Sequence, residues 1–585
     1  MKTRTARRLL AGGATAACLA AATITATSAT PSTDTITATS PTPSTTASPG
    51  TASATASATT QARPAARRSA PAVARPLPLG AAALAESRTS RQVAPGVTHI
   101  AIERGRESTD DFWTVTIGVA TSETEAAALE GRVRAAGYEP RRDPTAGPDP
   151  RGLADRPLGW MVRVGRYADK AAADRARSEI AGRGLPASVQ HTGEDGHPTT
   201  GPWSLDVLVV DPARFRGRLR AELADGIVPG RETTSAMARR TGALAAVNGG
   251  YFVIGGNRTT PGNWVAGTDG DLAGVSVVGG DLVSEAVNGR PALIVPADSG
   301  RGTSVRRVGT RLTVRTADGA VHEVTGLNRQ SGLVVNCGGV GNATPFARPA
   351  HDYTCGNPDE LVAVTPKFGT TAPEGPGYQV TLDADGRVTS LQEHRGGPVP
   401  ARGTVLQGTG AGARWLREHA RTGATLTVRG TVVDAEKGTW LPLTPKTSVL
   451  NGGPLLLRDG GLALDPVRDG WSPEDIEGAD RAAFYNGWYL RRNPRTAAGV
   501  TRDGHLVLLT ADGRRPGHSA GLSVPETAAV MRALGAVDAL NLDGGGSTAM
   551  VVRDELQGLP SDAAGERPTG DALVVMPGAP PAPGS

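Results

Sequence analysis

The sequence predicts an α+β fold, mainly antiparallel sheet, with a βαββαβ unit inserted near the start of its folded body. Three observations point there. Short strand-like runs recur between Asp-Gly and Asn-Gly turn signals. Helical stretches are few. Two similar strand–helix segments follow one another at an offset of about 47 residues.

The N-terminus comes first. Met1–Arg8 carries Lys2, Arg4, Arg7 and Arg8; an apolar stretch runs from Leu9 to about Ile24, and small residues follow around Ser28-Ala29. This is the pattern of a secretory signal over residues 1–29, with the Sec and twin-arginine routes both open. The stretch is short and threonine-broken for a span. No later run approaches 18 apolar residues, so no membrane span is expected in the mature chain. Residues 30–91 read as a disordered Thr/Ser/Ala/Pro linker, wall-spanning or glycosylatable. The expected location is secreted, extracellular or attached to a cell wall.

At 585 residues the chain is too long for one compact unit. Aromatics are 4%, so the core must be built from Val, Leu and Ala. Gly 77 and Pro 44 make the chain turn-rich, but no every-third-residue period appears, which excludes collagen. The formal charge of +5 is concentrated at the front. Residues 1–91 hold 10 Lys/Arg against 2 acids, and the remaining 494 hold 52 against 55. A near-neutral body argues against a nucleic-acid partner. Cys18 falls within the signal, leaving Cys337 and Cys355. In an exported chain this pair suggests a disulfide, worth about 3 kcal/mol in the chain-entropy model. Two free core cysteines are the alternative. Neither CxxC nor HExxH occurs, so no zinc site has sequence support and no cofactor is expected.

Phe112–Gly118 alternates like a strand, and Glu123–Ala136 reads as an amphipathic helix burying Ala127, Leu129, Val133 and Ala136. The pattern recurs in Trp160–Gly165 and a helix over Lys170–Ala181. On the segments "FWTVTIGVATSETEAAALEGRVRAAGY" and "WMVRVGRYADKAAADRARSEIAGRGLPASVQ", residues 109–195 resemble the SPOR domain, a bacterial peptidoglycan-binding module. The resemblance implies glycan binding across an open sheet face. A structural insert without a ligand is the alternative, because Trp113, Trp160 and Tyr167 are the few aromatic groups there.

Gln92–Glu103 reads as an opening strand, and its natural partner is Trp203–Asp211, beyond the insert. Residues 92–108 and 198–578 therefore read as one domain. Hairpin signals follow at Asp269-Gly270, Asp318-Gly319, Asp385-Gly386, Asp459-Gly460, Asp503-Gly504 and Asp512-Gly513. Helices are expected at Thr233–Arg240, Ala411–Ala420 and Val524–Leu534.

Four segments stand out chemically. Asn248-Gly249-Gly250 and Asn451-Gly452-Gly453 end strand-like runs in polar turns, and Arg495-Thr496 precedes a strand. In Leu540–Met550, alternation sets Asn541 and Asp543 on one face and Leu540 and Leu542 on the other. Gly544, Gly545 and Gly546, followed by Ser547, allow backbone amides to approach an anion. Each segment alone is more often a tight turn or loop than a site. Together they describe a glycine-lined polar pocket for a phosphate or sugar.

In their order, "AAVNGGYF", "NGGPLLLRDG", "NPRTAAGVTRDGHLVLLTADGR" and "LGAVDALNLDGGGSTAMVV" resemble the phosphodiester glycosidase family. The likeness spans nearly all of 92–108 and 198–578. It implies cleavage of a sugar-1-phosphodiester at the glycosidic carbon. The residues carried over by position are Asn248, Gly249, Gly250, Asn451, Arg495, Thr496, Asn541, Asp543, Gly544, Gly545 and Ser547. Arg495, Thr496 and the amides of 544–547 are expected on the phosphate. Asp543 is expected to stabilise an oxocarbenium ion or to act as nucleophile or base, and Asn248 and Asn541 to hold sugar hydroxyls. Glu526, Asp503 and Asp571 compete for a second carboxylate, with His518 as a possible acid. The expected partners are a sugar-phosphate glycan substrate and, through the insert, peptidoglycan. The rivals are a non-catalytic wall-binding protein, and a peptidoglycan amidase or peptidase, for which no nucleophile or metal pattern is evident.

Overall fold

A computed structural model describes residues 75–149, 153–255, 268–287, 289–336, 354–471 and 481–578. The expected signal lies outside the described residues, as does Cys337 and with it the expected disulfide.

An eight-stranded antiparallel sheet organises the body. Its strands run, edge to edge, Glu86–Ala94, Val97–Arg104, Trp203–Val210, Leu506–Ala511, Arg495–Thr501, Ala536–Asn541, Leu455–Arg458 and Gly461–Leu462. Both faces are buried, which explains why its inner strands read as apolar runs without clean alternation. Val507 and Leu509 face one core, shared with helix Val524–Ala533 and with Trp203 and Tyr485. Leu506, Leu508, Leu540 and Leu542 face the other. That second core is closed by a five-stranded sheet containing Ala245–Asn248 and Asp571–Met576, and by a sheet containing Pro291–Val295 and Ser448–Asn451. Each such side chain contributes roughly 1.5–3 kcal/mol through burial.

Asp318-Gly319, Asp385-Gly386, Asp459-Gly460 and Asp503-Gly504 each join two paired antiparallel strands. Asp512-Gly513 does not. The Asp512 carboxylate instead accepts from the Leu559 amide at 2.8 Å and pairs with His518 at 2.7 Å. The helices at Thr234–Thr241, Gly410–His419 and Val524–Ala533 lie within a residue or so of expectation.

The linker expected through residue 91 is a correction. Leu77 and Leu79 are fully buried in the main core. Arg104 donates to the carbonyls of Leu79, Ala81 and Leu84, tying this segment to the sheet. The opening strand is also a hairpin: Glu86–Ala94 pairs with Val97–Arg104 around a turn at Pro95-Gly96. Polar and charged residues dominate its edge strand, which is why composition alone reads as linker.

The inserted unit leaves after Val97–Arg104 and returns at Trp203–Val210, which pair directly with each other. Its four strands lie in the order Pro140–Pro144, Trp160–Tyr167, Trp113–Ala120, Ser188–His191. Helices Glu123–Ala135 and Lys170–Gly182, capped by Ser122 and Asp169, cover one face. In the first helix Ala126 and Val133 are buried while Ala127 is exposed, a one-position correction to the expected face. The other face is not open. Met161, Thr114 and Thr116 are buried, and Val119 packs against the main core of the body. Arg163, 1% exposed, is held by Asp195 at 2.6 Å and Asp143 at 3.0 Å. The face expected to carry glycan is therefore covered.

Candidate active site

The centre of the site is where the strand Ala536–Asn541 leaves the main sheet. Leu540 and Leu542 anchor it in the core beneath. The next residue, Asp543, is fixed by its backbone: its amide donates to the Gly249 carbonyl at 3.2 Å, and its carbonyl accepts from Asn248 Nδ2 at 2.8 Å. The Gly544 amide donates to Asp543 Oδ1 at 2.9 Å.

Asp543 faces a cleft of about 460 Å³. Three guanidiniums line it, from Arg495, Arg514 and Arg567, together with Asn493 and Gly544, Gly545 and Gly546. Tyr251, Phe252 and Trp488 form its apolar walls. Arg495 is held rigidly, donating to the carbonyls of Leu522 (2.9 Å), Trp488 and Arg491. Burial pushes its guanidinium down to about 10, so it stays charged at neutral pH. Arg514 donates twice to Asn493 Oδ1, at 3.1 and 3.0 Å. Arg567 pairs with Asp562 at 2.7 Å. Such a wall, set against a carboxylate, suits an anion carrying a neutral polar group.

Of the residues expected from sequence, Asp543, Arg495, Gly544 and Gly545 meet in this cleft. The others build its back. Asn248 is fully buried and its amide is spent: Oδ1 accepts from Thr496 Oγ1 at 2.7 Å and from the Ala549 amide at 3.1 Å, while Nδ2 holds Asp543. Neither Asn248 nor Thr496 faces the cleft, which corrects their expected contacts with sugar and phosphate. Asn451 Oδ1 accepts from the Tyr251 amide at 2.8 Å. Asn541 Nδ2 donates to the Tyr251 hydroxyl at 2.8 Å, and Asn541 is not among the residues lining the cleft. Gly249 and Gly250 lie tight against Asp571 and Asn451, where a side chain would collide. Of the expected row of amides, three are already bonded. Gly544 donates to Asp543, Gly545 to the Pro494 carbonyl and Ser547 to the Gly544 carbonyl. Ser547 is buried behind them.

The candidate second carboxylates separate by place. Glu526 caps its own helix in a capping box with Ser523 and pairs with Arg492 at 2.7 Å. Asp503 sits in a surface turn with Thr501. His518 is bound to Asp512, outside the cleft. Asp571 alone adjoins the site, directly behind Gly249-Gly250. Its Oδ1 accepts from the Gly250 amide at 2.8 Å. Burial first, then the charge of Asp543, pushes its carboxyl up to about 7.

Tyr251, Trp488, Asn493, Arg514 and Arg567 were missed from sequence. Tyr251 directly follows the Asn-Gly-Gly turn, and Arg514 follows the Asp512-Gly513 signal, so adjacency to motifs was the available clue. Trp488 lies in a π-helix, Tyr485–Leu490, a rare form associated with functional sites. It stacks between Trp471 (5.8 Å, 2° between planes) and Phe484 (5.5 Å, 20°). Among the described residues no cluster of three or more His, Cys, Asp or Glu is placed to hold a metal ion.

Comparison with known proteins fits this site. Residues 377–576 match the family model described as phosphodiester glycosidase. That stretch contains Asn451, Arg495, Thr496 and 541–547, but not Asn248-Gly249-Gly250. N-acetylglucosamine-1-phosphodiester alpha-N-acetylglucosaminidase from Mus musculus is 34% identical over 121 residues, 21% of this chain and 22% of that protein. The Homo sapiens protein of the same name is 33% identical over 118 residues, 20% of this chain and 22% of its own length. The chain thus spans about a fifth of the length of these curated relatives. A crystal structure from Burkholderia pseudomallei K96243, of a protein labelled only as exported, is 39% identical with a TM-score of 0.76. The match covers 86% of this chain and 98% of that one. Residues 377–576 thus carry a phosphodiester glycosidase domain by family match, and the likeness to the Burkholderia protein extends over most of this chain.

Proposed function

We propose that the chain hydrolyses a sugar-1-phosphodiester, of the N-acetylglucosamine-1-phosphodiester kind named for its curated relatives, in cell-envelope glycans. The observation that carries this reading is the cleft in which Asp543 stands against Arg495, Arg514 and Arg567. In the reaction the bond between the sugar C1 and the phosphate oxygen breaks. Water supplies the new oxygen at C1, so the products are the free sugar and a phosphomonoester. The leaving group is already an anion of low basicity, which reduces its need for a proton. The guanidiniums stabilise charge gathering on the phosphate. Asp543 stabilises positive charge at C1, or attacks it, or takes the proton of the incoming water. The ring edges of Trp488 and Tyr251, held by their aromatic neighbours, give the cleft an apolar wall against which a sugar can lie. Asn248, Thr496 and Asn541 act from behind, by fixing Asp543 and Tyr251.

Export and attachment to a wall belong to this reading through the N-terminal signal pattern and the SPOR-like repeat. With the sheet face of the insert covered, a contact with peptidoglycan would have to use its helix side or an edge. Pelleting of the full chain with peptidoglycan tests that contact separately from catalysis.

The test is release of free sugar by the full chain from UDP-N-acetylglucosamine and from a p-nitrophenyl phospho-sugar, with and without EDTA. Release that Asp543→Ala abolishes in a folded protein supports the reading. Release that survives Asp543→Ala removes Asp543 from the chemistry, and no release from either substrate by the wild type counts against the glycosidase.

A further inference from the structure

The insert reaches the cleft through one buried carboxylate. Its last strand is followed by a single 3₁₀ turn, Thr192–Glu194, anchored by the Thr192 amide on the Phe112 carbonyl (3.0 Å) and by Thr192 Oγ1, which accepts from the Phe112 amide (2.9 Å). This turn packs on residues 490–492 of the body. The Arg492 amide donates to the Glu194 carbonyl at 2.7 Å, and Arg492 Nη1 donates to the Gly193 carbonyl at 2.8 Å. At Gly196, with φ +86, a side chain would run into the Leu490 carbonyl. The side chain of Glu194, 6% exposed, takes Arg491 Nη2 at 3.0 Å.

Residues 490–492 lie between the two parts of the cleft wall. Before them is the π-helix that carries Trp488. After them come Asn493 and Arg495. The Arg491 carbonyl accepts from Asn493 Nδ2 at 3.2 Å and from Arg495 Nη2 at 3.5 Å. Asn493 in turn holds Arg514 through its Oδ1. A buried carboxylate thus sits at the root of a bonded series that ends on two of the three guanidiniums of the cleft. Its charge also acts directly on Arg514. Two cations drawn close together, Arg491 and Arg514, repel each other, and Glu194 beside them offsets that cost when it is ionised.

We propose that Glu194, from the inserted unit, is a positioning residue for the anion-binding wall of the cleft. It touches no substrate. It holds Arg491, and through Arg491 the placement of Asn493, Arg495 and Arg514. The insert is then part of the catalytic apparatus, and its covered sheet face is the surface that attaches it there. This rests on the reading of the cleft as a phosphate site.

The experiment compares the full-length wild type with Glu194→Gln, Glu194→Asp and, as a surface control on the insert, Asp174→Asn. Two readouts are taken: calorimetric binding of inorganic phosphate, and KM and kcat for UDP-N-acetylglucosamine. In Glu194→Gln, phosphate affinity should fall and KM rise by about tenfold, the scale at which supporting residues act, with kcat changed less. Glu194→Asp should recover part of the loss, and Asp174→Asn should match the wild type. Combining Glu194→Gln with Arg491→Gln should cost less than the sum of the two, because both act through one contact. A purely structural role would lower the melting temperature without moving phosphate affinity. Unchanged affinity in folded Glu194→Gln overturns the proposal. Phosphate binding without hydrolysis by the wild type overturns the glycosidase reading and leaves Glu194 in its role if the variant still weakens that binding. A wild type that binds no phosphate overturns both.

Discussion

Asn248 and Thr496 meet across two sheets at 2.7 Å, and this bond lies directly behind Asp543. Thr496 opens a strand of the main sheet, and Asn248 closes a strand of the five-stranded sheet. The same Asn248 amide also holds the Asp543 carbonyl and the Ala549 amide. One side chain therefore sets the spacing between the strand bearing Arg495 and the loop bearing Asp543. Asn248→Ala would leave three polar groups without their partner. At about 1–3 kcal/mol for each of the two fully buried groups, with the Asp543 carbonyl only partly buried, stability should fall by roughly 2–6 kcal/mol, and activity should fall further than that loss explains. Denaturant unfolding together with kcat/KM on the folded fraction checks both. Loss of stability with full activity would remove Asn248 from the support of Asp543.

Much of this arrangement was legible in the sequence, and the parts that were not share a cause. Alternation placed Leu540 and Leu542 apart from Asn541, and the core confirms that split. The repeated order of strand, N-cap and helix found the inserted unit, because each of its halves carries the same succession. What periodicity cannot give is which polar side chain turns inward. Asn248, Thr496, Asn451 and Asn541 sit in motif positions, yet each satisfies a backbone or hydroxyl group behind the cleft. Arg514, Arg567 and Trp488 come from segments separated in sequence and brought together only by packing. The cover over the insert's sheet, through Asp195 and Val119, is likewise a tertiary effect with no local signal.

Gly250 is a second point of close support. It has an ordinary backbone conformation, so the constraint is space: a Cβ there would strike the amide and backbone oxygen of Asn451. Asn451 holds the Tyr251 backbone, so the strain would be passed into the cleft wall. Gly250→Ala should destabilise by about 1–3 kcal/mol, as overpacking does, and raise KM. Gly242→Ala, where only the left-handed φ of +67 is at issue and the space is open, should lower stability without changing KM. Equal effects on KM would refute the distinction.

Buried carboxyls give the protein a defined response to pH. Asp571 is pushed up to about 7, first by burial. Asp271 and Glu194 are raised to about 7 for the same leading reason. Below the ordinary value of 3.8, Asp571 holds its proton in both folded and unfolded states. Between 3.8 and about 7 only the folded state holds it, so stability declines across that window and the loss is complete above it. The ceiling is about 4 kcal/mol for this one residue. Melting temperature should therefore be lower at pH 8 than at pH 5. Asp571→Asn keeps an acceptor for the Gly250 amide and should shrink that difference. If the two proteins lose stability equally from pH 5 to pH 8, Asp571 is not the source.

Arg495 and Arg514 line the same cleft but are held in different ways, and their variants should part accordingly. Arg495 is nearly fully buried and donates to the Leu522, Trp488 and Arg491 carbonyls. A lysine cannot reproduce that fork. Arg495→Lys should lose about 1–3 kcal/mol of stability, since several buried carbonyls lose a charged donor, and should lose activity with it. Arg514 bonds the side chain of Asn493 and adopts a left-handed φ of +58, which an L residue occupies at some strain. Arg514→Gly relieves that strain, so stability should change little while KM for a phosphodiester rises, by about tenfold for a lost charged hydrogen bond. Unfolding curves and KM for both variants test the contrast. A stable Arg495→Lys, or an Arg514→Gly with unaltered KM, would show that the cleft does not divide its arginines between scaffold and ligand in this way.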